Sequence, residues 1–173
     1  MLFRSEDEEN HRRGAKRNIE RHYDLSNELF STFLDPTMTY SSALFDGAEP
    51  TWANLESAQR RKVGRVLDLA GVHEGTRLLE IGTGWGQLAL QAAERGAIVH
   101  SVTLSTEQLQ LAQRRISDAG FADRVTIELR DYRDVQGSFD AIASVEMIEA
   151  VGARYWPEYF ATVGKLLAPR GRF

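Results

Sequence analysis

Two carboxylates, Glu146 and Glu149, stand three residues apart in the segment VEMIEAVG, where the apolar run FDAIASV ends. If that run is a strand of an open parallel sheet, its carboxyl end faces the crevice where ligands collect. The pair is therefore a candidate for proton transfer or for holding a cation. Earlier, LLEIGTGWGQLAL joins a strand to a helix through Gly82, Gly84 and Gly86, with Glu80 just before the loop. Glycines there let the backbone turn sharply and come close to a ligand. Thr103, Ser105 and Gln108 follow a second apolar run, and Asp131 and Tyr132 follow a third.

The glycine spacing is G-x-G-x-G, not the G-x-G-x-x-G of dinucleotide loops. Glu80 would suit a diphosphate poorly, and a sulfonium with an amino-acid tail suits it better. Ser105 and Gln108 lie where ribose hydroxyls would fall, with Thr103 in place of the usual acid. Asp131 and Tyr132 lie where an adenine would be met by a hydrogen bond and a ring. A glycine trio alone equally describes a tight turn with no ligand. The ordered set of acid, loop, polar strand end and aspartate–tyrosine pair carries the ligand reading.

Short apolar runs at 76–81, 97–104, 124–129 and 139–145 read as strands, and GRF at 171–173 as the start of a fifth. Helical patterns separate them: QLALQAAERG, STEQLQLAQRRISDAG and RYWPEYFATVGKLLAP. Ser105 and Gln108 also have capping-box spacing. Strands alternating with helices predict an α/β fold with a doubly wound, mainly parallel sheet. Before it, LSNELFSTFL puts Leu25, Leu29, Phe30, Phe33 and Leu34 on one helical stripe, and LESAQRRKVGRVLDLAGV reads as a helix ending near Gly71. The organisation expected is a charged arm at 1–20, an N-terminal helical lid or substrate segment at 21–71, and an incomplete sheet domain at 72–173. A doubly wound sheet stopping at its fifth strand leaves a raw edge, so further C-terminal strands are expected in a longer chain.

The 173 residues are 42% hydrophobic and 27% charged, enough for one cored domain. A net charge of −4 argues against general nucleic-acid binding. The absence of cysteine excludes disulfides, thiolate zinc and a cysteine nucleophile. Four scattered histidines lack metal-ligand spacing, so no metal is expected. No apolar run approaches a membrane span and the N-terminus lacks a signal-peptide core. A cytoplasmic protein is expected. Arg12, Arg13, Lys16, Arg17 and Arg21 form either a solvated helix face or a patch for anionic lipid headgroups.

The segments HYDLSNELFSTFLDPTMTYSSALF, LLEIGTGWG, VTLSTEQ, RDYRD and EAVGARYWPEYF together resemble the cyclopropane-fatty-acid synthase family of S-adenosylmethionine-dependent methyltransferases. That family includes mycolic-acid cyclopropane synthases and fatty-acid C-methyltransferases. The resemblance covers about residues 20–173, and its first segment is the most specific, because the fold alone does not require it. It implies a Rossmann-like fold and S-adenosylmethionine as cofactor, held by Tyr40, Ser41, Gly82, Gly84, Thr103, Gln108 and Tyr132. Glu80, Gly86 and Asp131 complete the expected cofactor site. The implied substrate is a cis-unsaturated acyl chain of a membrane phospholipid. The alkene attacks the sulfonium methyl, and a base then removes a proton from the resulting carbocation.

In the cyclopropane enzymes that base is thought to be a bicarbonate, held partly by a cysteine and by a Glu-His pair. Here the cysteine position is Ser42, the histidine position is Ala150, and Glu146 replaces a glycine, while Glu149 matches the family glutamate. Glu146 is therefore expected to supply the charge and proton acceptor that bicarbonate supplies elsewhere. The competing expectation is that it points away and caps the next helix. A relocated base favours a methylene or methyl-branched product, with a reductase as a partner. A cyclopropane product, a small-molecule methyltransferase and a non-catalytic S-adenosylmethionine-binding subunit are the alternatives. The glycine spacing and Glu80 place a nicotinamide dehydrogenase further off. Peripheral association with the inner membrane face is expected from the substrate. His22 and Tyr23 are read as lid or packing residues, and Trp85 as bordering the cofactor or buried. His100 is read as a satisfied core residue, and Tyr155, Trp156, Tyr159 and Phe160 as core.

Overall fold

Strands buried on both faces read as nearly continuous apolar runs, and the computed structural model of the chain places each such run in one sheet. It describes residues 27–173; the charged arm, His22 and Tyr23 lie outside the described residues. In chain order the elements are α1 (Asn27–Phe33), α2 (Trp52–Leu69), β1 (Arg77–Ile81), α3 (Gln87–Glu94), β2 (Ile98–Thr103), α4 (Thr106–Asp118) and β3 (Val125–Leu129). A 3-10 turn at Tyr132–Asp134 leads to β4 (Phe139–Ala143), α5 (Ile148–Val151), a second 3-10 turn at Ala153–Tyr155, α6 (Trp156–Leu166) and β5 (Leu167–Arg172). The sheet is parallel, in the order β3-β2-β1-β4-β5.

Successive strand residues face opposite sides, and the core divides accordingly. Leu78, Val99 and Ala141 join one cluster with Leu67 of α2, Leu88 and Ala92 of α3, and Ile116 of α4. Leu79, Val102 and Ile142 join another with Tyr159, Val163 and Leu166 of α6. Each fully buried leucine adds about 1.5–3 kcal/mol relative to exposure. The expected aromatic core splits: Tyr159 is buried, while Trp156 and Phe160 remain exposed on the same helix. His100 is a satisfied, half-buried residue, its Nε2 2.7 Å from Glu128 Oε2.

Helix ends follow local chemistry. Gly71, at φ +70°, closes α2 with Gly71 N–H to Asp68 O and Val72 N–H to Leu67 O. That is a Schellman closure, and Val72 and Leu67 share the core beneath it. Ser105 caps α4, its Oγ accepting from Gln108 N–H at 3.2 Å. The reciprocal half of the expected capping box is rerouted: Ser105 N–H donates to Thr103 Oγ1, which donates to Gln108 Oε1. The C-terminal helix stops earlier than its sequence pattern predicts. Leu167 leaves the helix to pair with Phe139, and an irregular register, with Arg170 at φ +67°, carries the strand to Arg172 opposite Ala141. β4 offers an unpaired edge there, and tertiary pairing overrides local propensity.

Gly86 begins α3 at φ +87° and lies against α4, where an added Cβ would sit 3.0 Å from Ala112 Cβ and 3.3 Å from its Cα. Gly86→Ala should therefore lose about 1–2 kcal/mol to the left-handed backbone and about 1–3 kcal/mol to overpacking. A lowered urea midpoint would show the loss; an unchanged midpoint would contradict this account.

Candidate functional site

β1 is the strand at which the chain reverses direction across the sheet. It pairs with β2 on one side and with β4 on the other, so the loops leaving β1 and β4 diverge and open a crevice. A cavity of about 350 Å³ lies there. The loop between α1 and α2 contributes Tyr40 and Ser41 to its wall; β1 and its loop contribute Glu80, Gly82 and Gly84. Thr103 and Gln108 line it from the β2–α4 corner, Tyr132 from beyond β3, and Glu146 and Glu149 from beyond β4. Two of the expected cofactor residues lie outside this lining. Gly86 meets α4 instead. Asp131 caps the 3-10 turn through Arg133 N–H and grips the Arg133 guanidinium at 2.6 Å, with both side chains largely buried.

Glu80 is 3% exposed, and among the described residues no cation pairs with it. Ser101 Oγ donates to its Oε2 at 2.5 Å, and Thr83 Oγ1 lies 2.7 Å from Ser101 Oγ. Burial pushes the Glu80 carboxyl up to about 8, and the Ser101 hydroxyl offsets only part of this. A cationic or hydroxyl-bearing ligand beside it would restore the charged form. Burial likewise raises Tyr132 to about 12, so its phenol is neutral at ordinary pH. Its ring lies edge-on to Tyr159 at 5.4 Å. An added Cβ at Gly82 would meet Met147 Sδ at 3.0 Å, so the β1 and β4 loops touch there. At Gly84 a Cβ would meet nothing within 4 Å. The backbone there faces open cavity, as a ligand cradle requires.

Glu146 adopts φ +52°, a left-handed conformation that costs a non-glycine residue about 1–2 kcal/mol. Its Oε1 accepts from Ser42 N–H at 2.8 Å and from Ser42 Oγ at 2.9 Å, across 104 residues of sequence. No hydrogen bond among the described residues reaches Oε2. The carboxylate is therefore anchored by one oxygen and available through the other. It does not cap α5, whose N-cap is Met147.

The N-terminal segment is fastened over the crevice by side chains that sequence reasoning treated as packing or missed. Trp85 is both buried and cavity-lining. It donates Nε1–H to Asn27 Oδ1 at 2.6 Å, and its ring packs tilted against Phe30 with centroids 4.8 Å apart. Arg115 donates to Thr37 O, Trp85 O and Gln87 Oε1, joining that segment to the glycine loop. Lys62 of α2 also lines the cavity. Its one sequence signal is a charge on the stripe that carries the buried Ala58, Gln59 and Val63.

The profile of the mycolic acid cyclopropane synthetase family matches residues 10–173. The chain belongs to this family. Tuberculostearic acid methyltransferase UfaA1 of Mycobacterium tuberculosis is 59% identical over 161 residues, which cover 91% of the chain and 38% of that protein. Cyclopropane-fatty-acyl-phospholipid synthase of Escherichia coli is 44% identical over 153 residues, covering 88% of the chain and 38% of that enzyme. The chain thus spans well under half the length of these relatives. The solved cyclopropane synthase MmaA2 from Mycobacterium tuberculosis superposes with a TM-score of 0.84 at 33% identity, over 90% of the chain and 54% of that structure. Mycolic acid cyclopropane synthase CmaA1, solved complexed with SAH and CTAB, gives a TM-score of 0.82 at 31% identity, over 88% and 53%. The parallel sheet and flanking helices are the Rossmann-like methyltransferase fold of these neighbours.

The folded state holds the Glu80 proton more tightly than the unfolded chain, since its pKa is raised from 4.5 to about 8. The stability this group contributes is full below its unfolded value and falls as pH climbs towards its folded value. Urea midpoints taken from about pH 5 to 8.5 should fall in the wild type and fall less in Glu80→Gln. Parallel curves would contradict the burial of an uncompensated acid.

Proposed function

We propose that the chain carries the cofactor and proton-acceptor groups of an S-adenosylmethionine-dependent C-methyltransferase acting on the cis double bond of a phospholipid acyl chain. The observation that carries this reading is the Ser42–Glu146 contact: an anchored carboxylate in the wall of the cavity that Glu80 and the glycine loop also line. The name of UfaA1, at 59% identity, supports a methylene or methyl-branched product over a cyclopropane.

The cofactor-holding roles fall to Tyr40, Ser41, Glu80, Gly82, Gly84, Thr103, Gln108 and Tyr132. S-adenosylmethionine held there would supply an electrophilic methyl carbon to the alkene, the sulfur–methyl bond breaking with its electron pair left on a neutral thioether. Glu80 compensates positive charge on the ligand. Glu146 Oε1 stays with Ser42 while Oε2 faces the carbocation, stabilises it and accepts its proton. In the resemblance, Ser42 stands for the cysteine and Ala150 for the histidine that help hold a bicarbonate. Ala150 also lines the cavity, so the imidazole is gone from a wall that has gained a carboxylate. Glu149, exposed at the same wall, adds negative potential for the cationic intermediate.

Exposed Phe33 packs on the exposed, cavity-lining Tyr40, and exposed Trp156 donates to the carbonyl of Ile148, which sits between the cavity-lining Met147 and Glu149. Such an apolar rim suits a peripheral approach to the membrane face where acyl chains are reached. No helix among the described residues is long and apolar enough to cross a membrane. A methylene product would pass to a reductase that saturates it.

Incubation with methyl-labelled S-adenosylmethionine and dioleoyl phospholipid vesicles should transfer label to the acyl chain. The product should contain an ozone-cleavable methylene; a cyclopropane as sole product would overturn the branch assignment, and no transfer would overturn the function. Glu146→Gln should lower turnover by about 10²–10⁴-fold, the range of a general base, with donor binding retained. Near-normal turnover would remove Glu146 from the mechanism.

A further inference from the structure

Lys62 brings a positive charge into a cavity proposed to receive a positively charged donor, which needs a reason. The residue sits on α2, half-buried, with its Nζ donating to Ser41 Oγ. Ser41 is held a second way: Gln59 Nε2, one turn earlier on the same helix, donates to Ser41 O at 2.7 Å and to Thr39 O at 3.2 Å. The next residue is Ser42, whose N–H and Oγ hold Glu146. Lys62, Ser41, Ser42 and Glu146 thus form one continuous polar wall, with a cation at one end and a carboxylate at the other.

Two carboxylates from other segments act on the Lys62 charge. Glu146 on the β4–α5 loop and Asp35 before α2 both favour its ammonium form, although burial outweighs them and lowers its pKa. Asp35 is engaged elsewhere, with Oδ2 accepting from Thr37 N–H and Oδ1 from Thr37 Oγ1. Glu80 lies buried on Ser101, and Arg130 is paired with Glu128. Glu149 is an exposed carboxylate on the same cavity wall, and Tyr132 is neutral. Of the two carboxylates whose charge acts on Lys62, Asp35 has both oxygens engaged, while Glu146 keeps one unengaged among the described residues.

We propose that Lys62 is a positioning residue, whose ammonium fixes Ser41–Ser42 and thereby keeps the Glu146 carboxylate aimed into the cavity. The proposal rests on the reading of Glu146 as proton acceptor. It accounts for the left-handed backbone at Glu146: strain at a site persists when surrounding contacts over-determine it, and here the contacts come from a wall that Lys62 organises. It also accounts for a cation in this cavity, because the carboxylate that Ser42 holds on the same wall acts on its charge.

The test uses Lys62→Arg and Lys62→Met in the intact protein, assayed for label transfer to oleoyl phospholipid vesicles across pH. Lys62→Met should lower kcat by about 10–100-fold while changing the donor KM by less than about threefold. Lys62→Arg should keep most of the rate. The wild type should lose rate on the alkaline side as the ammonium deprotonates, and Lys62→Arg should keep it, because a guanidinium does not titrate there. Identical alkaline limbs in the two proteins, or wild-type kcat in Lys62→Met, would overturn the proposal. A urea-unfolding cycle of Lys62→Met, Glu146→Gln and the double variant separates this from the methyl-transfer reading. A double variant that loses less than the two single losses combined supports the coupling, and additive losses overturn it. Non-additive losses in a protein that transfers no label would support the pairing and overturn the methyl-transfer reading.

Discussion

The return of the chain to the far side of β1 is the constraint on which the rest of this structure depends. The winding runs outward through β2 to β3, then β4 comes back to pair with the other edge of β1. At that reversal the loops leaving the two central strands separate, and the sheet has an opening at its carboxyl end. Three strand ends bring their polar groups together there: the glycine loop from β1, the Thr103–Gln108 corner from β2, and the acids from beyond β4. The core on both faces of the sheet makes this geometry stiff, because Leu78 and Leu79 are each fully buried in a different cluster.

The N-terminal segment adds a second wall to this crevice. Phe30 and Asn27 cover Trp85, and Arg115 ties Thr37 to the glycine loop. The segment then delivers Tyr40, Ser41 and Ser42 to the cavity side. A wall built from two distant parts of the chain brings Ser42 and Glu146 together at an exposed rim, while Glu80 lies buried at the end of β1, its carboxyl pushed up to about 8. Charges in such a place act strongly on a cationic ligand or intermediate.

Glu146 and Ser42 are best understood as one change. A glycine would adopt φ +52° without cost, and a glutamate does not. The glutamate is held there by an N–H and a hydroxyl of Ser42 that point at its Oε1. In the family resemblance both positions differ, and in the structure the two differing side chains bond each other. The backbone strain therefore has a visible counterpart, and the remaining oxygen of the carboxylate is left for chemistry.

Much of the fold was legible from the residues because its causes are local. Apolar runs of strand length, the Gly71 closure of α2, the Ser105 cap and the glycine-rich turn each depend on neighbours within a few positions. Most of the candidate site followed, since residues at strand ends are gathered by the parallel topology itself. What failed to show was decided by partners far away in sequence. Gly86 serves Ala112, and β5 begins at Leu167 because Phe139 is there to pair with it; Asp131, by contrast, is taken up by Arg133 only two residues on. The sequence by itself determined the alternating elements, the crevice and most of the residues around it. Only the tertiary structure decided that Glu146 turns to Ser42, that Lys62 stands on the same wall, and that Glu80 is buried with no cation paired to it among the described residues. Those outcomes depend on distances between segments up to 104 residues apart, which no local pattern of side chains encodes.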